Sequence, residues 1–178
     1  LDQDDAIKGC LEKDHASQKW LFSHYSGRMM TVCLRYARNR ADAEDILQDG
    51  FVLLFRNLGK FEHKGSFEGW MRKIFVNTAL KKYQRKRFDK ERVGIEHTKE
   101  PELDATAISA LSEKEIIKLI SELPEGYRIV FNMYAIEGYS HREIAETLGI
   151  NEATSRTQLL KARKQLQRKL LELHSTLI

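Results

Sequence analysis

The sequence predicts an all-α protein of two small helical domains joined by a flexible linker, the second carrying a helix-turn-helix. Three observations predict it. Apolar residues recur at spacings of three and four through most of the chain. The only prolines in its 178 residues are Pro101 and Pro124. That periodicity lapses once, over residues 88 to 110, where Gly94, Pro101 and several acids gather. The boundaries expected are a first domain over residues 1–90, a linker over 91–110 and a second domain over 111–178.

The first long helix is expected over residues 14 to 38. Trp20, Leu21, His24, Tyr25, Met29, Val32, Cys33 and Tyr36 fall on one side of it. Asn39 can cap the next helix, which runs from about Asp42 to Leu58 with Ala43, Ile46, Leu47, Gly50, Phe51, Leu54 and Leu58 as its buried stripe. Asp42, Glu44 and Asp45 sit in its first turn, where negative charge is favourable. Val52 and Phe55 lie outside the stripe, so either another helix covers them or they belong to a partner surface. Gly59 ends this helix, residues 60 to 66 form a loop, and Ser66 can cap a third helix from Phe67 to about Lys86. Phe67, Trp70, Met71, Ile74, Phe75 and Thr78 line its buried side. Its second half is basic, through Lys81, Lys82, Arg85, Lys86 and Arg87.

Periodicity resumes after residue 110. Ser112 and Glu115 have capping-box spacing, ahead of Ile116, Leu119, Ile120 and Leu123. Pro124 breaks that helix and can start the next, whose stripe is Tyr127, Val130, Phe131 and Tyr134, ended by Gly138. Ser140 and Glu143 repeat the capping box before Ile144, Ala145 and Leu148. Gly149 suits a turn with positive φ, Ile150 ties the turn down, and Asn151 can cap a last helix through Leu159, Leu160, Ala162, Leu166, Leu170 and Leu173. A helix, a three-residue turn and a long basic helix is the arrangement that lays its second helix in the major groove. Thr154, Ser155, Arg156 and Gln158 are placed to approach base edges. Lys161, Arg163 and Lys164 lie further along and suit phosphates.

Charge is concentrated as a polyanion binder would need. The net charge is only +4, but residues 63 to 92 hold ten Lys or Arg against three acids. Residues 153 to 169 hold six Lys or Arg and no acid. The competing accounts of both blocks are solvated helix faces and contact with an anionic membrane surface. Cys10 and Cys33 form no CxxC pair and no secretory signal pattern is present, which points to a reducing cytoplasm. The apolar runs are too short to span a bilayer, so no membrane insertion is expected. Leu1 in place of a start methionine suggests a trimmed chain. The six histidines lie apart at 15, 24, 63, 97, 141 and 174, so no metal site is expected. The acids from 42 to 49 suit a helix start better than a hard-metal cage. No cofactor and no enzymatic activity are expected.

Three strings carry a family resemblance: DAEDILQDGFVLLFRNL from Asp42, SFEGWMRKIFVNTALKKYQRKR from Ser66, and SHREIAETLGINEATSRTQLLKARKQL from Ser140. In that order and spacing they resemble the extracytoplasmic-function sigma factors of the sigma-70 family, over roughly residues 8 to 173. The resemblance implies a protein that binds core RNA polymerase and directs promoter recognition, −10 strand capture and initiation in the cytoplasm. It implies contact with the β′ clamp coiled coil and the β flap, and an anti-sigma factor is a further expectation from the family.

On the first string the implied polymerase contacts are Asp45, Gln48, Asp49, Phe51, Phe55 and Arg56, with core packing competing for Phe51. On the second, the implied contacts to the single −10 strand are His63, Lys64, Arg72, Lys73, Asn77, Lys81, Lys82, Arg85 and Lys86. Trp70 matches an aromatic position of the family but has a core phase. The third string resembles the reader of the −35 duplex, again through Thr154, Ser155, Arg156, Gln158, Lys161, Arg163 and Lys164. It departs from the family at Asn151, Ser155 and Gln158, where Pro, Val and Arg are frequent. In the second string Lys81 stands where Asp is usual. A stand-alone regulator and a protein-interaction module built from sigma-like parts are the rival readings.

Overall fold

A computed structural model describes residues 2–88 and 112–176, with side chains described over 2–84 and 112–173. Every regular element among them is helical. The expected linker lies outside the described residues. The chain divides into two compact units, Leu1–Tyr83 and Gln84–Ile178.

The first unit opens with a helix the sequence reading did not find, α1 (Gln3–Leu11). Asp2 starts it by accepting the Asp5 N–H at 2.8 Å. It buries only Ala6, Ile7 and Cys10, too few positions to declare a period. It packs closely on α2 (His15–Tyr36): a Cβ on Gly9 would lie 2.1 Å from Ser17 Oγ. Tyr25 also donates its hydroxyl to Gln3 Oε1 at 2.6 Å. Asp14 starts α2 by accepting the Ala16 and Ser17 N–H groups.

Leu21, Tyr25, Met29, Val32, Cys33 and Tyr36 face inward on α2 as their spacing predicted. Burial pushes the Cys33 thiol up to about 12, so it is an inert core residue. Trp20 and His24 depart from the expectation. They sit at the margin of the stripe, and their rings stack on each other with centroids 4.7 Å apart.

Helix α3 (Arg40–Asn57) is capped by Asn39 and buries all of its expected stripe. A single 3-10 turn, Leu58–Lys60, leads to the loop before α4 (Phe67–Phe88). Helix α4 joins the core through aromatic edges: Phe75 meets Phe51 of α3 at 5.2 Å, and Phe67 meets Tyr25 of α2 at 5.7 Å. Its buried side is wider than predicted, since Val76, Ala79 and Leu80 are buried alongside Phe67, Met71, Phe75 and Thr78. Trp70 and Ile74 are half-buried at its edge.

In the second unit α5 (Glu113–Ser121), α6 (Glu125–Phe131) and α7 (His141–Leu148) all pack on α8 (Glu152–Thr176). Both predicted capping boxes are present, Ser112 with Glu115 and Ser140 with Glu143. One core cluster is Leu119, Leu123, Ala162, Leu166 and Leu170, with Tyr127 and Phe131 against it, and Val130, Met133, Ile144 and Leu148 are buried as well. Arg128 is 2% exposed, and its guanidinium donates to the carbonyls of Ser121 and Leu123, satisfying the end of α5.

Helix α6 does not stop at Phe131. It widens into a π-helical turn, Asn132–Ile136, in which the Glu137 N–H reaches the Asn132 carbonyl at 3.0 Å. The extra residue advances the phase. Tyr134, expected on the buried stripe, is turned outward and is 36% exposed.

Two glycines in helices test how far packing governs stability. A Cβ on Gly50 would fall 2.4 Å from the Phe75 ring, whereas one on Gly27 would meet nothing within 4 Å. Both substitutions to Ala gain about 1 kcal/mol of helix propensity. Displacing the Phe75 ring costs about 1–3 kcal/mol. Gly27→Ala should therefore raise the thermal midpoint of the full chain and Gly50→Ala should lower it.

Candidate nucleic-acid interface

The turn into α8 is held by the residues that the sequence singled out. Gly149 takes φ 63° and ψ 38°, the left-handed region that a side chain resists. The Ile150 N–H reaches back to the Ala145 carbonyl at 3.1 Å, and Ile150 itself is half-buried. Asn151 Oδ1 accepts the Thr154 N–H at 2.6 Å and starts the helix. Leu159, Ala162, Leu166 and Leu170 anchor α8 to the core, which leaves Lys164 and Arg168 exposed between them.

The expected base readers divide. Arg156 is outward, with a side chain 59% exposed, and pairs with Glu152 at 2.7 Å within the same helix. Such an exposed pair contributes only about 0–1 kcal/mol, so Arg156 can leave it for another acceptor at little cost. Thr154 is half-buried beside it. Gln158 is half-buried and lies over Gly126 of α6: a Cβ there would be 3.1 Å from its Oε1. Ser155 is corrected. It has no exposed surface, because it occupies the inward phase of α8, and its Oγ lies 2.9 Å from His141 Nδ1. It cannot face a base in this arrangement.

Further along, Lys164 is exposed and Lys161 half-exposed. The Arg163 guanidinium sits 5.8 Å over the Tyr134 ring. Tyr134 in turn stacks on the His141 ring at 4.5 Å. Sequence reasoning missed both aromatic residues as parts of this site. The π turn that re-aims Tyr134 has no sequence signature, and His141 reads only as an interior position of a capping box.

The cations of the first unit form a second group. Lys73, Asn77 and Lys81 are exposed on α4, and Arg72 is half-buried. Lys82 is less free than predicted: its ammonium lies 3.0 Å from Asp45 and 3.4 Å from Asp42 on α3. Burial alone would lower its pKa, but hydrogen bonds and charge from Asp45 and Asp42 outweigh that and raise it. In the loop before α4, Lys64 pairs with Glu62 at 2.7 Å. His63 takes a left-handed φ of 56° and packs its ring 4.6 Å from Phe61, which also meets Trp70 at 5.3 Å. The side chains of Arg85 and Lys86 lie outside the described residues.

On α3 the polar residues Asp45, Gln48, Asp49 and Arg56 are exposed, Phe55 is half-buried and Val52 is 51% exposed. Phe51 is corrected to a core residue. It is 4% exposed and enclosed by Phe22, Phe55 and Phe75. Phe22 of α2, unnoticed in the sequence, is 45% exposed and extends this apolar patch.

Residues 21–88 match Sigma-70 region 2 and residues 113–166 match Sigma-70, region 4, together more than half of the chain. The chain belongs to the sigma-70 family, in its extracytoplasmic-function (ECF) group. The ECF RNA polymerase sigma factor SigE of Mycolicibacterium smegmatis is 29% identical over 152 residues, 83% of this chain and 59% of that relative. The ECF RNA polymerase sigma-E factor of Haemophilus influenzae is 26% identical over 177 residues, 92% of this chain and 93% of the relative. SigW of Bacillus subtilis is 28% identical over 163 residues, 84% and 86% respectively. The chain thus spans less than two thirds of SigE and most of the other two. Sigma factors are not enzymes, and among the described residues no group of His, Cys, Asp and Glu is arranged to hold a metal ion. No described helix is long and apolar enough to cross a membrane.

The His141 contact has a pH signature. Burial holds the imidazole below its ordinary value of 6.5, and the Arg156 and Arg163 charges act the same way against Glu152. As pH falls through about 6.5 the unfolded chain takes the proton first, so stability present above that pH is lost on acidification. The wild-type chain should therefore lose more thermal stability between roughly pH 7.5 and 5.5 than His141→Gln, whose amide does not titrate there.

Proposed function

We propose that this chain binds core RNA polymerase in the cytoplasm and directs it to promoters, with each helical unit meeting one promoter element. The observation that carries this reading is α8. A helix that holds six Lys or Arg and no acid over residues 153–169 is started by a glycine turn and an asparagine cap, with Arg156 outward in its first turns. It supports reading α7 and α8 as a helix-turn-helix whose second helix enters the major groove of the −35 duplex. Arg156 can pair bidentately with a guanine, Thr154 lies beside it, and Gln158 reaches an adenine only by leaving Gly126. Lys161, Arg163 and Lys164 neutralise phosphates and supply affinity with no sequence information.

The first unit captures the −10 element as a single strand. His63 and Lys64 in the loop, with Arg72, Lys73, Asn77 and Lys81 on α4, line the strand, and Arg85 and Lys86 follow them in sequence as further cations. Opening the duplex costs a few kcal/mol per flipped base, which backbone cations and a shaped pocket offset. Lys82 joins only by giving up Asp42 and Asp45. The outer face of α3 meets the β′ clamp coiled coil: Val52 and Phe55 form an apolar centre, and Asp45, Gln48, Asp49 and Arg56 form a polar surround. The second unit meets the β flap. An anti-sigma factor competing for these surfaces is part of the same reading.

The deciding experiment mixes the full chain with core polymerase and a promoter library and sequences the transcripts. Initiation at a small set of related promoters is expected; a folded chain that directs none would remove the reading. A stand-alone regulator would instead bind duplex DNA tightly and fail to co-elute with core enzyme. Arg156→Ala should cost about 1–3 kcal/mol on the selected site. Lys164→Ala should weaken all duplexes alike and reduce the salt slope by about 1. Phe55→Ala should reduce polymerase binding by a larger factor than it reduces folding stability, read by titration against core enzyme beside thermal unfolding.

A further inference from the structure

The residues by which α8 is buried are apolar with one exception among those described. Leu159, Ala162, Leu166 and Leu170 anchor it, and Ser155 stands with them at 0% exposure. A hydroxyl taken from water needs a partner, and His141 is there, Nδ1 to Oγ at 2.9 Å. An apolar side chain would hold the first turn of α8 by packing, which tolerates rotation. Ser155 holds it by one directional bond.

The imidazole is itself aimed. Its ring stacks on Tyr134 at an interplanar angle of 20°, and Tyr134 reaches this position because the π turn rotates it off the buried stripe. The other end of the stack is the Arg163 guanidinium, 5.8 Å over the Tyr134 ring. One stack therefore touches α8 at two heights about two turns apart, at Ser155 and at Arg163. Thr154 and Arg156 flank Ser155 in sequence. A rotation of α8 by about 20° would carry a side-chain tip at roughly 6 Å radius by about 2 Å, further than a bidentate base contact tolerates.

We propose that His141 is a positioning residue for sequence discrimination: through Ser155 it sets the rotation of α8 that presents Arg156 and Thr154 to base edges. This rests on the reading of α8 as the duplex-facing helix.

The test uses the full chain and two fluorescent duplexes, one selected with wild-type chain and core polymerase and one scrambled. The readout is the ratio of the two affinities by anisotropy. Affinity for the scrambled duplex also reports that α8 remains folded. Ser155→Ala and His141→Ala should each lower the ratio about two- to tenfold while scrambled binding holds. The double variant should fall no further than either single one, and His141→Gln, which keeps a hydrogen-bonding group, should recover part of the loss. Arg156→Ala on the same duplexes separates the two levels. If Arg156→Ala lowers the ratio and both Ser155→Ala and His141→Ala leave it unchanged, the positioning role is overturned and the duplex reading stands. Additive losses in the double variant would also overturn it, since the two residues would then act independently. If wild-type chain shows no preference, or Arg156→Ala leaves the preference intact, the duplex reading fails and takes this inference with it.

Discussion

The three-residue turn at Gly149, Ile150 and Asn151 sets where α8 begins and which way its first residues face. The turn has to reverse the chain without a side chain at the left-handed position, return one N–H to the end of α7, and supply an acceptor for the first amides of α8. One residue meets each requirement: Gly149 at φ 63°, Ile150 bonded to Ala145, and Asn151 accepting from Thr154. Once the start is set, the inward row of leucines and Ala162 sets which side of the helix is buried. The cations between them then have no inward path and accumulate outside. The charge of this face and its geometry thus have separate causes: cations on the outer side, and apolar packing within.

The cations differ in how they are held. Lys164 and Lys73 are exposed. Arg156 is held by Glu152, Lys82 by Asp42 and Asp45, and Lys169 by Glu122. The Arg156–Glu152 pair is exposed on both sides and contributes little to folding, whereas the Lys82 and Lys169 side chains are more enclosed. Each pair holds a long side chain in an extended, directed state. The Arg163 contact with Tyr134 is different in kind, because an aromatic face orients a guanidinium without neutralising it.

Much of the fold was legible in advance because its signals are local. Capping boxes at Ser112 and Ser140, the glycine turn, and the stripe of α3 from Ala43 to Leu58 are each written within a few residues, and each recurs in the structure. Helix α1 was not legible, because three buried residues are too few to mark a period. The candidate site was legible in its charges and less so in its packing. Arg156, Lys164 and the exposed cations of α4 lie outward as their phase suggested, whereas Ser155 and Phe51 lie on inward rows. A polar Ser155 reads as surface until His141 is known to stand beside it.

The sequence by itself determined the helical class, the helix starts and the placement of charge, since each depends on neighbours no more than about four residues away. The tertiary structure alone decided the margins of the buried stripes. Trp20 and His24 fall outside theirs, Val76, Ala79 and Leu80 fall inside, and Tyr134 is turned out by one extra residue in a helical turn. The physical reason is that periodicity gives the direction of a helix face but not its width. Width is set by whichever element packs against it, and that contact joins residues such as His141 and Ser155, on separate helices.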